Sequence, residues 1–208
     1  MRPVRAESLR YVALGDSYTI GTSTRSPDER WPNQLVGTLG SAAPAPLELV
    51  ANLGVNGYTS RDLIERELPQ LAAVEPGFAS VLIGVNDVVQ GVPMATYREN
   101  VSRILDTLLR ALPPTRIVAV TTPDYTVTPR GADYGDPSQQ SAAIRVFNAV
   151  ILERAAERAI AVVEIHDLSL QAAEDPSLVA ADGLHPSGAQ YARWVERIAP
   201  VVEDLLRG

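Results

Sequence analysis

The sequence predicts an α/β fold: a three-layer α/β/α sandwich whose middle layer is a five-stranded parallel sheet. Three observations carry that prediction. Strand-like and helix-like segments alternate five times along the chain. The strand-like segments are short and almost continuously apolar, as in a sheet covered on both faces. Polar clusters follow the strands, where open parallel sheets gather their reactive groups. Right-handed crossovers then place helices on both faces of the sheet.

The elements follow in order. Tyr11 to Gly15 reads as the first strand, ended by Gly15, with Asp16-Ser17 opening a loop or helix start. Residues 22–30 are a polar loop. Trp31 to Leu39 is a helix with Pro32 in its first turn. Ala42 to Pro46 is a connector, Leu47 to Leu53 the second strand, and Gly54 to Gly57 a turn. Thr59 or Ser60 caps the next helix, which sets Leu63, Ile64, Leu68 and Leu71 on one face. Pro76-Gly77 breaks the chain before the third strand, Phe78 to Ile83. Thr96 to Leu112 carries Tyr97, Val101, Ile104, Leu105, Leu108 and Leu109 at the spacing of one helical face, and Pro113-Pro114 stops it. Arg116 to Thr121 is the fourth strand. Pro123 to Pro137 has no periodicity, and loops of that length are usually functional covers or mobile. Ser138 to Arg158 is helical with Ile144, Phe147, Ile151 and Ala155 inward, and Ile160 to Ile165 is the fifth strand. Leu168 to Ala181 is mixed. Ser187 caps a last helix whose apolar face is Tyr191, Trp194, Val195, Ile198, Val202 and Leu205.

Composition narrows the function. The 208 residues suit one domain, 1–208, with its core at about 9–206. The formal charge of −7 argues against nucleic acid, whose phosphates need a basic footprint, and against adsorption to anionic lipid. Every basic residue is Arg, so lysine chemistry is absent. With no Cys, thiolate chemistry, disulfides and cysteine metal sites are excluded; two His exclude a His-rich metal site. No metal or organic cofactor is indicated. No run of 18 apolar residues exists, so membrane insertion is not expected. No signal-like segment precedes the first strand, and a cytoplasmic location is expected; a secreted chain trimmed of its signal would look the same. No feature specifies an oligomeric state.

Four polar clusters fall in the loops of the sheet's C-terminal edge: Gly15-Asp16-Ser17, the block from Asn52 through Gly57 to Ser60, Gly84-Val85-Asn86-Asp87, and Asp182-Gly183-Leu184-His185-Pro186. Acyl transfer needs a nucleophile, a base, a group that holds the base's tautomer, and donors for the developing oxyanion. Ser17 is a hydroxyl nucleophile. His185 is an imidazole base suited to neutral pH, with Asp182 three residues before it. The donors available are the backbone N–H groups of Ser17 and Gly57 and the side-chain amide of Asn86. Each piece also has a purely structural role to offer: Ser17 as a helix cap, Gly57 as a turn glycine, Asn86-Asp87 as a cap, Asp182-Gly183 as a turn. Their occurrence in order, in loops of one sheet edge, favours chemistry. His166 is a rival base, but its acidic neighbour Asp167 is adjacent and points elsewhere.

These blocks resemble the SGNH hydrolases, also called the GDSL lipase/esterase family, from Tyr11 to the last helix. The resemblance implies a flavodoxin-like strand order 2-1-3-4-5, Ser17 as nucleophile, Gly57 and Asn86 as oxyanion donors beside the Ser17 N–H, and Asp182 and His185 completing a triad. The match of Asn52-x-x-x-x-Gly favours Gly57 over Gly54. The first block reads Gly-Asp-Ser-Tyr, so Tyr18 departs from the family's leucine without touching the nucleophile. The expected activity is hydrolysis of a small-molecule carboxylic ester, with short acyl or acetyl groups favoured. The charge and the lack of an apolar lid helix argue against a lipid-surface lipase. An acyltransferase, or a ligand-binding protein on the same fold, are the alternatives. The 123–137 loop offers Tyr125, Arg130 and Tyr134 to line a polar or sugar site.

Overall fold

A computed structural model describes residues 8–40 and 45–207. The segment ahead of the first strand and most of the connector expected over 42–46 lie outside these residues. Five strands form one sheet: β1 (Leu9–Gly15), β2 (Leu47–Asn52), β3 (Phe78–Leu82), β4 (Ile117–Val120) and β5 (Ala161–Val163). Their order is β2-β1-β3-β4-β5, and every neighbouring pair is parallel. Tyr11 of β1 sits beside Phe78 of β3, and Leu9 beside Leu47 of β2. Tyr11, Val12, Ala13 and Leu14 are fully buried, which is why this strand reads as a continuous apolar run and not an alternating one.

β2 to β5 are shorter than their apolar runs. Past the end of β4, Thr121 still ties the chain to β5: its N–H donates to Val163 O (3.0 Å) and its Oγ1 accepts from Ile165 N–H (2.9 Å). The helices are α1 (Ser17–Ile20), α2 (Trp31–Leu39), α3 (Ser60–Asp62), α4 (Leu71–Val74), α5 (Val85–Val89), α6 (Met94–Ala111), α7 (Pro137–Ala156), α8 (His166–Leu170) and α9 (Gly188–Arg207). α2 and α9 pack together on one side of the sheet; α3, α6 and α7 lie together on the other. No described helix is long and apolar enough to cross a membrane.

Two local departures from the sequence reading have clear causes. The helix expected after Thr59 does begin there, with Thr59 and Asp62 in a reciprocal capping box. It is not regular, because Pro69 lacks an N–H to continue it. The chain widens instead into a π-turn, Leu63–Glu67, in which Leu68 N–H reaches back to Leu63 O, and then tightens into a 3₁₀ turn, Leu68–Gln70. In α9 the buried leucine is Leu206, with Leu205 only partly buried, since the inward stripe runs Ile198, Val202, Leu206 in steps of four.

Candidate active site

β1 delivers Ser17 to the C-terminal edge of the sheet through a sharp bend. Gly15 has φ +150°, and a Cβ there would stand 2.2 Å from Leu82 O, so only glycine fits. Asp16, not Ser17, caps the short α1: its Oδ1 accepts the Tyr18 N–H at 3.0 Å. The hydroxyl of Ser17 is thereby freed from the capping role. Ser17 lines a cavity of about 250 Å³ together with Tyr18, Asn56, Gly57, Val85, Asn86, Val89, Tyr125, Tyr134, Leu184 and His185.

Gly57 sits in the loop after β2 with φ +80°, and nothing lies within 4 Å of where its Cβ would be. Backbone conformation therefore demands the glycine, and the missing side chain leaves the cavity open. Asn52 ties this loop to the Ser17 turn: its Nδ2 donates to Thr19 O at 2.7 Å, and its Oδ1 accepts from Gly54 N–H at 3.2 Å. Asn86 lies in the first turn of α5, which is preceded by Gly84, so neither Asn86 nor Asp87 is that helix's cap. One N–H of the Asn86 amide donates to Tyr58 O at 2.9 Å, leaving the other for the cavity. Among the described residues, the backbone N–H groups of Ser17 and Gly57 have no protein acceptor. Asp87 turns inward and accepts from Ser60 N–H (2.8 Å) and Ser60 Oγ (2.5 Å), which locks the β3 loop to α3.

His185 and Asp182 come from a turn ahead of α9. An isolated antiparallel bridge between Val179 and Pro186 closes the turn's base, and Ala180 N–H donates to His185 O at 2.7 Å. Asp182 Oδ1 accepts the N–H groups of Leu184 (2.9 Å) and His185 (3.0 Å); its Oδ2 lies 2.6 Å from His185 Nδ1 and accepts from Ser23 Oγ at 2.6 Å. Burial works to raise the Asp182 pKa, but the donors of Ser23, Leu184 and His185 outweigh it and hold the carboxyl well below its usual range. An ionised carboxylate only accepts, so Nδ1 is the donor toward Asp182, which fixes the tautomer of the neutral ring with Nε2 as its acceptor. The Tyr18 ring meets the His185 ring edge-on with centroids 5.8 Å apart. Ser17 and His185 are not hydrogen-bonded to each other; both residues line the one cavity.

The 123–137 loop contributes two of its three expected residues. Tyr125 and Tyr134 line the cavity, rings 5.8 Å apart in a T-shaped pair. Arg130 does not line it: its guanidinium pairs with Asp133 (2.8 Å) and its backbone N–H donates to Gly183 O (3.0 Å), which fastens the loop to the Asp182 turn. His166 also lies off the cavity. It opens α8 and faces Asp124 at 3.5 Å, where Asp124 further accepts from Ser141 (2.6 Å) and Thr126 (2.7 Å) and anchors the start of the loop.

The sequence reading missed Ser23 and Glu67. Ser23 had no signal, being one small polar residue in a polar loop. Glu67 sits on the π-turn, fully buried, and its Oε2 accepts the Gly15 N–H at 2.9 Å directly behind the Ser17 bend. A single charged residue beside the apolar stripe of that helix carries no local signal that it turns inward. Burial pushes the Glu67 carboxyl up to about 9 against the pull of the Gly15 N–H, and pushes that of Asp16 up to about 8.

Known structures share this architecture. A variant of Axe2, an acetyl xylan esterase from Geobacillus stearothermophilus, is 20% identical; the likeness covers 96% of this chain and 97% of that one with a TM-score of 0.73. The psychrotrophic esterase EstA from Pseudoalteromonas sp. is 17% identical over 96% and 99% of the two chains, TM-score 0.71. LAE5, an alpha/beta hydrolase enzyme from the metagenome of Lake Arreo, Spain, is 20% identical over 97% and 96%, TM-score 0.69. At these identities the likeness speaks to the fold. No curated protein matches the sequence significantly. The model of the GDSL-like Lipase/Acylhydrolase family, however, matches residues 13–193, nearly the whole of the sheet and its loops, and the chain belongs to that family of carboxylic ester hydrolases.

Proposed function

We propose that the chain is a serine esterase that cleaves small neutral esters through an acyl-enzyme, on one domain that spans the chain. One observation carries the reading: a hydroxyl, an imidazole paired with an ionised carboxylate, and three N–H donors border a single cavity. In this reading His185 Nε2 takes the proton of Ser17 Oγ as the oxygen attacks the ester carbonyl. The Ser17 and Gly57 N–H groups and the Asn86 amide receive the oxyanion. Asp182 steadies the imidazolium. The intermediate collapses, His185 protonates the leaving alcohol, and Ser17 keeps the acyl group. Water, deprotonated by His185, then attacks the acyl carbon, releases the acid and restores Ser17.

The lining favours the substrate class. Among the described residues no Arg, Asp or Glu side chain lines the cavity, so a phosphate or carboxylate on the substrate would find no countercharge from them there. Val85, Val89 and Leu184 offer short apolar contacts, and Tyr125 with Tyr134 an aromatic wall. A short acyl or acetyl group on a neutral alcohol fits these surfaces. The likeness to an acetyl xylan esterase supports including acetylated sugars in the test.

The test has two arms. A serine-directed organophosphonate should form a covalent adduct at Ser17, and Ser17→Ala should abolish turnover of a chromogenic acetyl ester while leaving the fold intact. Acyl-length and acetyl-sugar panels should show a preference for the shortest acyl groups. An unmodified Ser17, or wild-type rates in Ser17→Ala, would overturn the reading.

A further inference from the structure

Ser23 lies six residues beyond Ser17, on the polar loop after α1. Its φ is +64°, a left-handed backbone that an L side chain adopts at a cost and that persists only where the surroundings enforce it. What the conformation achieves is a contact across 159 residues of sequence: Ser23 Oγ donates to Asp182 Oδ2 at 2.6 Å. That oxygen is the one His185 Nδ1 meets, also at 2.6 Å. The other donors to Asp182 are backbone groups of its own turn, Leu184 and His185. Among the described residues, Ser23 is thus the sole hydrogen-bond donor to this carboxylate from outside its turn, and it comes from the loop that follows Ser17.

We propose that Ser23 is a positioning residue for ester cleavage: its hydroxyl fixes Asp182 Oδ2 against His185 and limits how strongly that oxygen holds the imidazole proton. The proposal rests on the serine-esterase reading above. A carboxylate oxygen shared between a hydroxyl and an imidazole is a weaker acceptor toward each than one serving the imidazole alone. Without the hydroxyl, Asp182 turns more freely and draws harder on the proton of His185, so the ring stays protonated to higher pH. The other groups around the pair are Tyr18 against the His185 ring, Tyr191 within electrostatic reach of Asp182, Arg130 with its partner Asp133 on the loop beside Gly183, the Arg25–Glu29 pair on Ser23's own loop, and Asp16. Asp16 acts on both tyrosines, is raised by burial to about 8 and is common to wild type and variants. Burial pushes Tyr18 and Tyr191 well above the ordinary tyrosine range, and hydrogen bonding to Arg25 lowers Glu29, so none of these three changes charge near neutrality.

Ser23→Ala and Ser23→Gly test it. Both remove the hydroxyl, but only glycine relieves the left-handed strain. Rates on a chromogenic acetyl ester, measured from pH 5 to 9, should show kcat about tenfold lower in both variants, the size of one lost hydrogen bond to a charged group. KM should stay within about twofold, and the acidic limb of kcat should move up by roughly half a pH unit. Wild-type kcat and limb in both variants would overturn the proposal, as would a defect in alanine that glycine cures, since the backbone would then be responsible. Ser17→Ala, run alongside, isolates failure of the esterase reading itself. The low-field proton resonance of His185 Nδ1 gives a measure independent of turnover: it should move further downfield in both Ser23 variants, and an unchanged position would refute the role assigned to the hydroxyl.

Discussion

Glu67→Gln isolates the electrostatic cost of placing a carboxyl behind the Ser17 bend. The side chain is fully buried, one oxygen holds the Gly15 N–H at 2.9 Å, and the other has no partner among the described residues. Burial, with Asp16 and Asp62 adding to it, raises its pKa from 4.5 to about 9. The sign follows directly. Between those two values the folded chain keeps a proton that the unfolded chain has lost, so the unfolded state binds fewer protons and stability falls as pH rises. The fall is about 1.4 kcal/mol per pH unit at most. From pH 5.5 to pH 8 that is roughly 3.5 kcal/mol as an upper figure, and about 2 kcal/mol after allowing for relaxation of the buried site. Glutamine keeps the oxygen that accepts from Gly15 and removes the titration. At pH 5.5 both folded side chains are neutral but the unfolded glutamate is already largely ionised, so the variant should be more stable than the wild type by about 1 kcal/mol. At pH 8 that advantage should have grown by about 2 kcal/mol, or roughly 4–8 °C in Tm for a chain of this size. Urea and thermal unfolding at the two pH values read this difference of differences. If the gap between variant and wild type is the same at both, Glu67 is ionised in the fold and the reasoning is wrong.

Two further outcomes are expected from the same edge of the sheet. Asn86→Ala should lower kcat by about 10²–10³ with KM little changed, the loss typical of one oxyanion donor; steady-state rates on an acetyl ester check it, and a loss below about fivefold would exclude the amide from the oxyanion site. Gly15→Ala should destabilise the fold by about 3 kcal/mol or more, because its Cβ would stand 2.2 Å from Leu82 O and 2.4 Å from Thr19 Oγ1 at a φ of +150°. A thermal melt within a few degrees of wild type would show that the bend yields more easily than its packing implies.

Burial on both faces leaves a continuous apolar run, so Tyr11 to Leu14 and Phe78 to Leu82 announced central parallel strands without any tertiary information. The one-faced stripes of α6 and α9 were equally legible, as were the blocks holding Ser17, Gly57, Asn86 and His185, since each lies beside the element that positions it. Less visible were the ends of elements. Which of Asp16 or Ser17 caps α1 depends on where the backbone enters the helix, and Pro69 interrupts a helix whose apolar spacing looks regular.

The amino-acid order by itself determined the number and kind of elements, their sequence along the sheet's edge, and the residue types brought there. Only the tertiary structure decided which side chains meet. Arg130 turned from the cavity to Asp133, His166 faced Asp124, Ser23 reached Asp182, and Glu67 went under the Ser17 bend. The reason is physical: periodicity reports whether a residue faces inward along its own element, whereas a hydrogen bond between residues 159 positions apart depends on how loops of separate elements are held over a common edge, and no local pattern encodes that distance.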